Sequence, residues 1–520
     1  MKCVKAIRAD NTELWEENSN DQMMGGKRRQ RTFWEKGLQE HFNATFTSTS
    51  YSHHQKTIIC DVPSTETSRR LTVFVGGLDI TDGRWDTPRH DLFFTLLDEH
   101  KEDFYNKYGN VDKMHGPRQP WHDIHTKLEG PIAYDVFQNF IERWNKQGIH
   151  RSIFEIDPEI MSLLKHSQID ALQMEENESE WTCRIFRSIT SDSAIFDHPK
   201  KLSFSGNRKV EKSILEAYVH MIRKAENFIY IENQYFYGSS HMWDAKNKPK
   251  CDHIIPFEIA QKIVHKIESN HPFVAYIVIP MFPEGNPCDK PLQEILYYQH
   301  KTMEMMYKTV ADALKVNHSN RKPTDYLAFM CPAKREKREA YIDLLQVPGE
   351  NHPDALKFRQ SLRSPIYVHS KMMIVDDVYI IVGSANINQR SMAGTRDTEI
   401  AVGCWQEKFG IENPVGDVSV FRKSLFTEHF VGWHKEFESP ASPECLNKMK
   451  NLLMENWLMY IGPEGSVMKG HMLPYPIKVR QDGQLNNFIG SNGKFPDFNA
   501  TIAGKRISLN FTKQHTRVLC

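Results

Sequence analysis

His369-Ser370-Lys371-Met372-Met373-Ile374-Val375-Asp376 and, far upstream, His54-Gln55-Lys56-Thr57-Ile58-Ile59-Cys60-Asp61 are two copies of one pattern, His-x-Lys-x4-Asp. Histidine and lysine stand two apart, so on an extended segment both point to one face. The four residues before each aspartate are apolar or nearly so, as in a buried strand. A small-residue turn follows each copy: Gly76-Gly77-Leu78-Asp79 after the first and Gly383-Ser384-Ala385-Asn386 after the second. With 24 histidines in the chain, chance supplies roughly 0.1 such matches. Two copies with matching turns therefore point to an internal repeat, two similar lobes facing each other.

Helix and strand patterns alternate around these copies. Pro131 opens a helix whose apolar residues Val136, Phe137, Phe140, Ile141 and Trp144 share a face, and Gly148 closes it. Further helices are expected near 213–225, 257–269 and 291–315, and strands at 228–231, 273–279 and 326–330. The fold class implied is α/β, a sheet covered by helices in two pseudo-symmetric lobes. The chain divides into a polar segment 1–50, a first lobe with its connector at 51–182, a second lobe at 183–440 and a wrapping segment at 441–520. Met303, Met305 and Met306 on the long helix read as core.

Composition narrows the function. Sixty-six basic residues balance 66 acidic ones, which argues against a dedicated nucleic-acid binder. No run is apolar and long enough for a membrane helix, and the N-terminus lacks the apolar centre of a signal peptide. Nine scattered cysteines without a CxxC pair suggest reduced thiols in a cytosolic setting. The basic run Gly25–Arg31 reads as a solvated loop, with contact to anionic lipid as the alternative.

The repeated residues suit phosphodiester chemistry. Lys56 and Lys371 would hold the non-bridging oxygens, with Ser384 and Asn386 adding donors. One neutral imidazole of the His54–His369 pair would attack phosphorus. The other, protonated, would donate to the leaving oxygen and then serve as base on the incoming water or alcohol. An acid on the far ring nitrogen would fix each tautomer. That role is expected of Asp86, thirty-two residues after His54, and of Glu399, thirty after His369. The motif aspartates Asp61 and Asp376 read as structural members of the two motifs.

These residues resemble the HKD signature of the phospholipase D superfamily. The strings FVGGLDITDGRWDTPRH (74–90), GPRQPWHDIH (116–125), IENQYF (231–236) and 368–400 are similar to the plant-type, C2-containing branch. The resemblance implies a glycerophospholipid substrate, a phospholipid membrane surface as partner and a peripheral cytoplasmic location. It further implies His54 as nucleophile and His369 as general acid, Gln234 as a substrate contact, and His90, His122 and Glu428 as calcium ligands. Two imidazoles and a carboxylate would by themselves suggest zinc before calcium.

Two departures from that family pattern stand out. Only 53 residues precede His54, so no C2 domain is expected. The second lobe carries strands for which the first shows no counterpart. This implies a shortened first lobe, as in an incomplete gene product, or one that borrows strands from a partner. A catalytically impaired lipid-binding homologue and another HKD phosphodiesterase, such as a nuclease, are the alternatives.

Overall fold

The computed structural model describes residues 52–63, 69–108, 116–148, 181–196, 209–245, 248–337, 358, 360–406, 415–463 and 465–506. The segment 1–50 with its basic run, and residues 165–180 of the expected connector, lie outside the described residues.

In chain order the strands are β1 (Ser52–His53), β2 (Thr57–Pro63), β3 (Arg69–Gly76), β4 (Trp121–His122), β5 (His125–Leu128), β6 (Thr182–Thr190), β7 (Val210–Lys212), β8 (Phe228–Asn233) and β9 (Val274–Val278). They continue with β10 (Leu327–Arg335), β11 (Arg363–Pro365), β12 (Tyr367–Val368), β13 (Lys371–Val375), β14 (Tyr379–Gly383), β15 (Asp397–Trp405), β16 (Met472–Pro474), β17 (Ile477–Val479) and β18 (Leu485–Asn487). The helices are α1 (Pro131–Gly148), α2 (Ser213–Lys224), α3 (Ile255–Glu268), α4 (Lys290–Val316), α5 (Gln389–Met392), α6 (Asp417–Phe430) and α7 (Pro443–Ile461).

The architecture is α/β. One sheet of 11 strands runs β11-β10-β9-β8-β13-β14-β15-β6-β7, with β1 added beside β15 and β16 beside β10. The second motif's apolar run is its strand β13, hydrogen-bonded on both sides by β8 and β14. All five of its residues are buried, which is why the sequence there is a continuous apolar run rather than an alternation. The first motif's run is β2 in a separate sheet, β2-β3-β5, of three strands among the described residues. The two sheets share a core: Leu71, Val73, Val75 and Leu128 pack with Met372, Ile374, Ile380, Val382, Ile400 and Val402.

The buried face of α4, Met303, Met305 and Met306 included, packs into the other main cluster with α2 and α3. Three helices escaped the sequence reading, the single-turn α5 among them. α6 carries Glu428, and α7 lies inside the segment expected only to wrap the core. Its buried residues Leu446, Met449, Leu453 and Trp457 recur at helical spacing, but Pro and Gly on either side obscured the run. Ser442 caps it by accepting from the Cys445 N–H at 3.1 Å.

Candidate active site

Each motif histidine is held in place by the opposite half of the molecule. β1 runs parallel to the start of β15, Ser52 opposite Asp397 and His53 opposite Thr398. The His54 N–H then donates to the Thr398 carbonyl at 3.0 Å. In the mirror arrangement β12 runs parallel to β4, Tyr367 opposite Trp121 and Val368 opposite His122. There the His369 N–H donates to the His122 carbonyl at 2.7 Å.

This crossing decides which acid meets which histidine. Glu399 reaches His54 Nδ1, with both carboxylate oxygens at 3.0 Å. Asp123 lies 2.7 Å from His369 Nδ1. Glu399 therefore orients the histidine of the other motif, not the one it follows in sequence. The expectation for Asp86 is corrected: its carboxylate is 2.9 Å from His90 Nδ1 and accepts from Arg118 at 2.9 Å and the Trp121 N–H at 2.8 Å. Sequence distance from the motif misled, because the acid comes from whichever strand the opposite flank pairs with. Asp123 was within the quoted WHDIH string, but only the β4–β12 pairing reveals its role.

The turns after the motifs support the two acids. Ser384 Oγ donates to Glu399 Oε2 at 2.5 Å and Ser391 Oγ to Oε1 at 2.6 Å. Gly77 occupies the place equivalent to Ser384, its N–H on Ile124 as the Ser384 N–H is on Ile400. A Cβ at Gly77 would collide with the Asp123 carboxylate and stand 2.9 Å from the His369 carbonyl, so this position requires glycine. Asn386 is buried, and its side-chain oxygen has no hydrogen-bond partner among the described residues.

Both lysines fold back alike. Lys56 Nζ donates to the His54 carbonyl at 2.9 Å, and Lys371 Nζ donates to the His369 carbonyl. Lys371 also donates to Gln234 Oε1 at 2.9 Å, and the Gln234 amide donates to the Tyr367 hydroxyl at 2.8 Å. Gln234 is thus at the site, bound to its lysine. Asp79 joins the halves: it is 3.2 Å from Lys56 Nζ and 3.9 Å from His369 Nε2.

Burial tunes the second half. Desolvation, then the neighbouring Lys371 charge, push His369 down to about 4 against the opposing pull of Asp123. Desolvation also pushes Lys371 down to about 7. Asp123 stays ionised at about 2 despite its burial, beside His369 and Lys371.

The motif aspartates lie apart from this cluster. Asp376 and Asp377 both have positive φ, 51° and 59°, forming the tight turn between β13 and β14 that asparagine and aspartate tolerate. The Asp376 carboxylate accepts from the N–H groups of Glu226, Asn227 and Phe228 at 2.7, 2.7 and 2.9 Å. It ties β13 to the start of β8. Asp61 is exposed on β2.

The sequence-expected metal residues do meet. Glu428 Oε1 is 3.1 Å from His90 Nε2 and 3.0 Å from His122 Nδ1. Beyond them Glu232 bridges His122 at 2.7 Å and His429 at 2.9 Å. Burial opposes charge on these imidazoles, but Asp86 holds His90 above its ordinary range and Glu232 holds His122 well above. The result is a buried row of alternating acids and histidines. Its nitrogen-rich donor set does not fit calcium, which takes roughly six to eight oxygens. It fits a zinc-like ion better.

A model of the family described as phospholipase D matches residues 2–504. The chain belongs to the phospholipase D family. It is 42% identical to phospholipase D gamma 1 of Arabidopsis thaliana over 89% of this chain and 57% of that protein. Identity to phospholipase D alpha 3 of the same plant is 43%, over 88% of this chain and 58% of that one. The chain therefore spans little more than half the length of these family members. A solved phosphatidylserine synthase of Haemophilus influenzae Rd KW20 is 11% identical over 74% of this chain and 68% of its own, with a TM-score of 0.33, too distant to bear on the site.

Proposed function

We propose that this protein hydrolyses the phosphodiester bond of a glycerophospholipid such as phosphatidylcholine, releasing phosphatidate and the free head group. A primary alcohol in place of water would give the transphosphatidylated lipid. The reading rests above all on the reciprocal clamp, with Glu399 on His54 and Asp123 on His369. Each carboxylate keeps Nδ1 protonated and leaves Nε2 for chemistry.

In the reaction Nε2 of one histidine attacks phosphorus, and the bond to the head-group oxygen breaks as the second imidazolium gives that oxygen its proton. The same imidazole then takes a proton from water, which displaces the phosphohistidine and releases phosphatidate. Lys56 and Lys371 neutralise the equatorial oxygens. The family resemblance assigns attack to His54. Burial, which pushes His369 down to about 4, favours the opposite order, since a neutral imidazole carries the attacking lone pair.

The substrate surface is a phospholipid membrane approached peripherally. No described helix is long and apolar enough to cross one. Ile80, the neighbour of Asp79, is 83% exposed, and Phe94 and Leu97 are exposed apolar residues on the following segment. Such side chains suit contact with lipid. For the metal, the resemblance favours calcium at His90, His122 and Glu428 and the donor set favours zinc. Titrating the full chain with each ion, read by heat of binding, separates the two.

The deciding experiment is phosphatidate release from phosphatidylcholine vesicles, with phosphatidylalcohol forming when a primary alcohol is added. Vesicle flotation without turnover would replace this reading with a lipid-binding one. Degradation of plasmid DNA would replace it with a nuclease.

A further inference from the structure

Cys183 on β6 and Cys404 on β15 stand directly opposite each other in antiparallel register. Their sulfurs are 3.2 Å apart, 221 residues apart in sequence. Both are free thiols, Cys404 buried and Cys183 half-buried. Opposed antiparallel residues have Cα atoms about 4.5–5.5 Å apart, inside the roughly 4.4–6.8 Å that a disulfide spans. Closing the bond therefore needs side-chain rotation, not strand movement.

We propose that Cys183 and Cys404 form a peroxide-oxidisable dithiol whose disulfide locks β6 onto β15. The half-buried Cys183 is the entry point, and hydrogen bonding to Cys404 lowers its thiol pKa, which favours the thiolate that attacks peroxide. Its sulfur takes one oxygen from hydrogen peroxide, becoming a sulfenic acid and releasing water. The Cys404 sulfur then displaces that oxygen as a second water, so two thiols and one peroxide give one disulfide and two waters. A dithiol reductant reverses the step.

The lock would act on the joint between the halves. β15 carries Glu399 at the site. β6 carries Arg187, which binds Glu142 of α1 at 2.8 Å and Glu211 of β7 at 3.0 Å. Oxidation therefore fixes the strand through which the first motif's helix is tied to the large sheet.

The test is to expose the folded full chain to hydrogen peroxide, alkylate the remaining thiols and map peptides without reductant. The expected result is one cross-linked Cys183–Cys404 peptide, lost on dithiothreitol treatment, and a higher melting temperature for the oxidised form. Cys183→Ser and Cys404→Ser should each abolish both, whereas Cys288→Ser, at an exposed thiol, should abolish neither. Far-ultraviolet circular dichroism of each variant shows that it has folded. Alkylation of both cysteines after oxidation, or cross-links involving only Cys60 or Cys288, would overturn the proposal. So would a cross-link that forms only in denaturant.

Discussion

The two halves of the site share one backbone recipe and differ in their solvent. In each, a histidine is pinned by the opposite half, a lysine folds back on that histidine's carbonyl, and a small turn makes room for a carboxylate. Yet the His54 side chain is 27% exposed and the His369 side chain 6%. Among the described residues, the first motif extends an edge strand of a three-stranded sheet, while the second lies in the interior of an 11-stranded one. Repetition thus fixes where groups point, and burial in the large sheet lowers the pKa of His369. In the proposed mechanism the two imidazoles play opposite roles, and burial gives His369 an environment that His54 does not share.

The largest effects test the shared recipe. His54→Ala and His369→Ala should each lower phosphatidate release by about 10⁴-fold or more, because neither imidazole has a substitute. Trapping radiolabelled lipid phosphate on the two variants sharpens the comparison: the variant that still acquires label retains the nucleophile. Labelling of His54→Ala but not of His369→Ala would set aside the order taken from the family. Next in size, Glu399→Gln and Asp123→Asn should each cost roughly 10²–10⁴-fold in kcat with little change in KM, since each fixes a tautomer without touching substrate. Asp86→Asn should leave kcat far less affected, because Asp86 holds His90. An Asp86 effect as large as that of Glu399 would break the crossed assignment.

That crossing marks the limit of what the sequence discloses. The motif strands β2 and β13, their neighbours β3, β8, β9, β10 and β14, and α1 to α4 follow from local periodicity and spacing, whereas β6 and β15 did not announce themselves. Glu399 was legible as a nearby acid, but its partner was not, because β1 reaches β15 across more than three hundred residues of sequence. Asp123 was hidden for the same reason: only the parallel pairing of β4 with β12 brings it to His369. The motif aspartates drew attention by repetition, yet Asp376 is there for a positive φ and three backbone N–H groups. Spacing along a chain reports local geometry, and it is silent on pairing between distant strands.

Burial of the second half predicts a pH dependence. With Lys371 at about 7, the free protein loses a phosphate-holding cation as pH rises through neutrality, so kcat/KM should fall on the alkaline side of about 7. Lys371→Arg should move that limb upward, since a guanidinium keeps its proton. The stability change has its own sign. His369 is lowered from 6.5 to about 4, so between those values the unfolded chain binds the proton that the folded chain refuses. Its contribution is present above pH 6.5 and lost as pH falls through about 4. Thermal melts across that window should show the loss, and His369→Ala should remove this part of it.

The smallest effect comes from the one place where the turns differ in charge. The first turn ends in Asp79 and the second in Asn386. Asp79 stands between Lys56 and His369, close to both motifs and 41% exposed, so a phosphodiester entering there must displace or approach a like charge. Asp79→Asn gives the first turn the same side chain as the second and removes that repulsion. Because solvent screens so exposed a group, the change in KM should be a decrease of less than about tenfold. The same substitution withdraws a carboxylate that favours protonated His369. If His369 is the general acid, kcat should fall as KM falls; if His369 is the nucleophile, kcat should hold or rise. Measuring the two parameters separately in this single variant therefore asks, from the exposed side of the site, which histidine does which half of the chemistry.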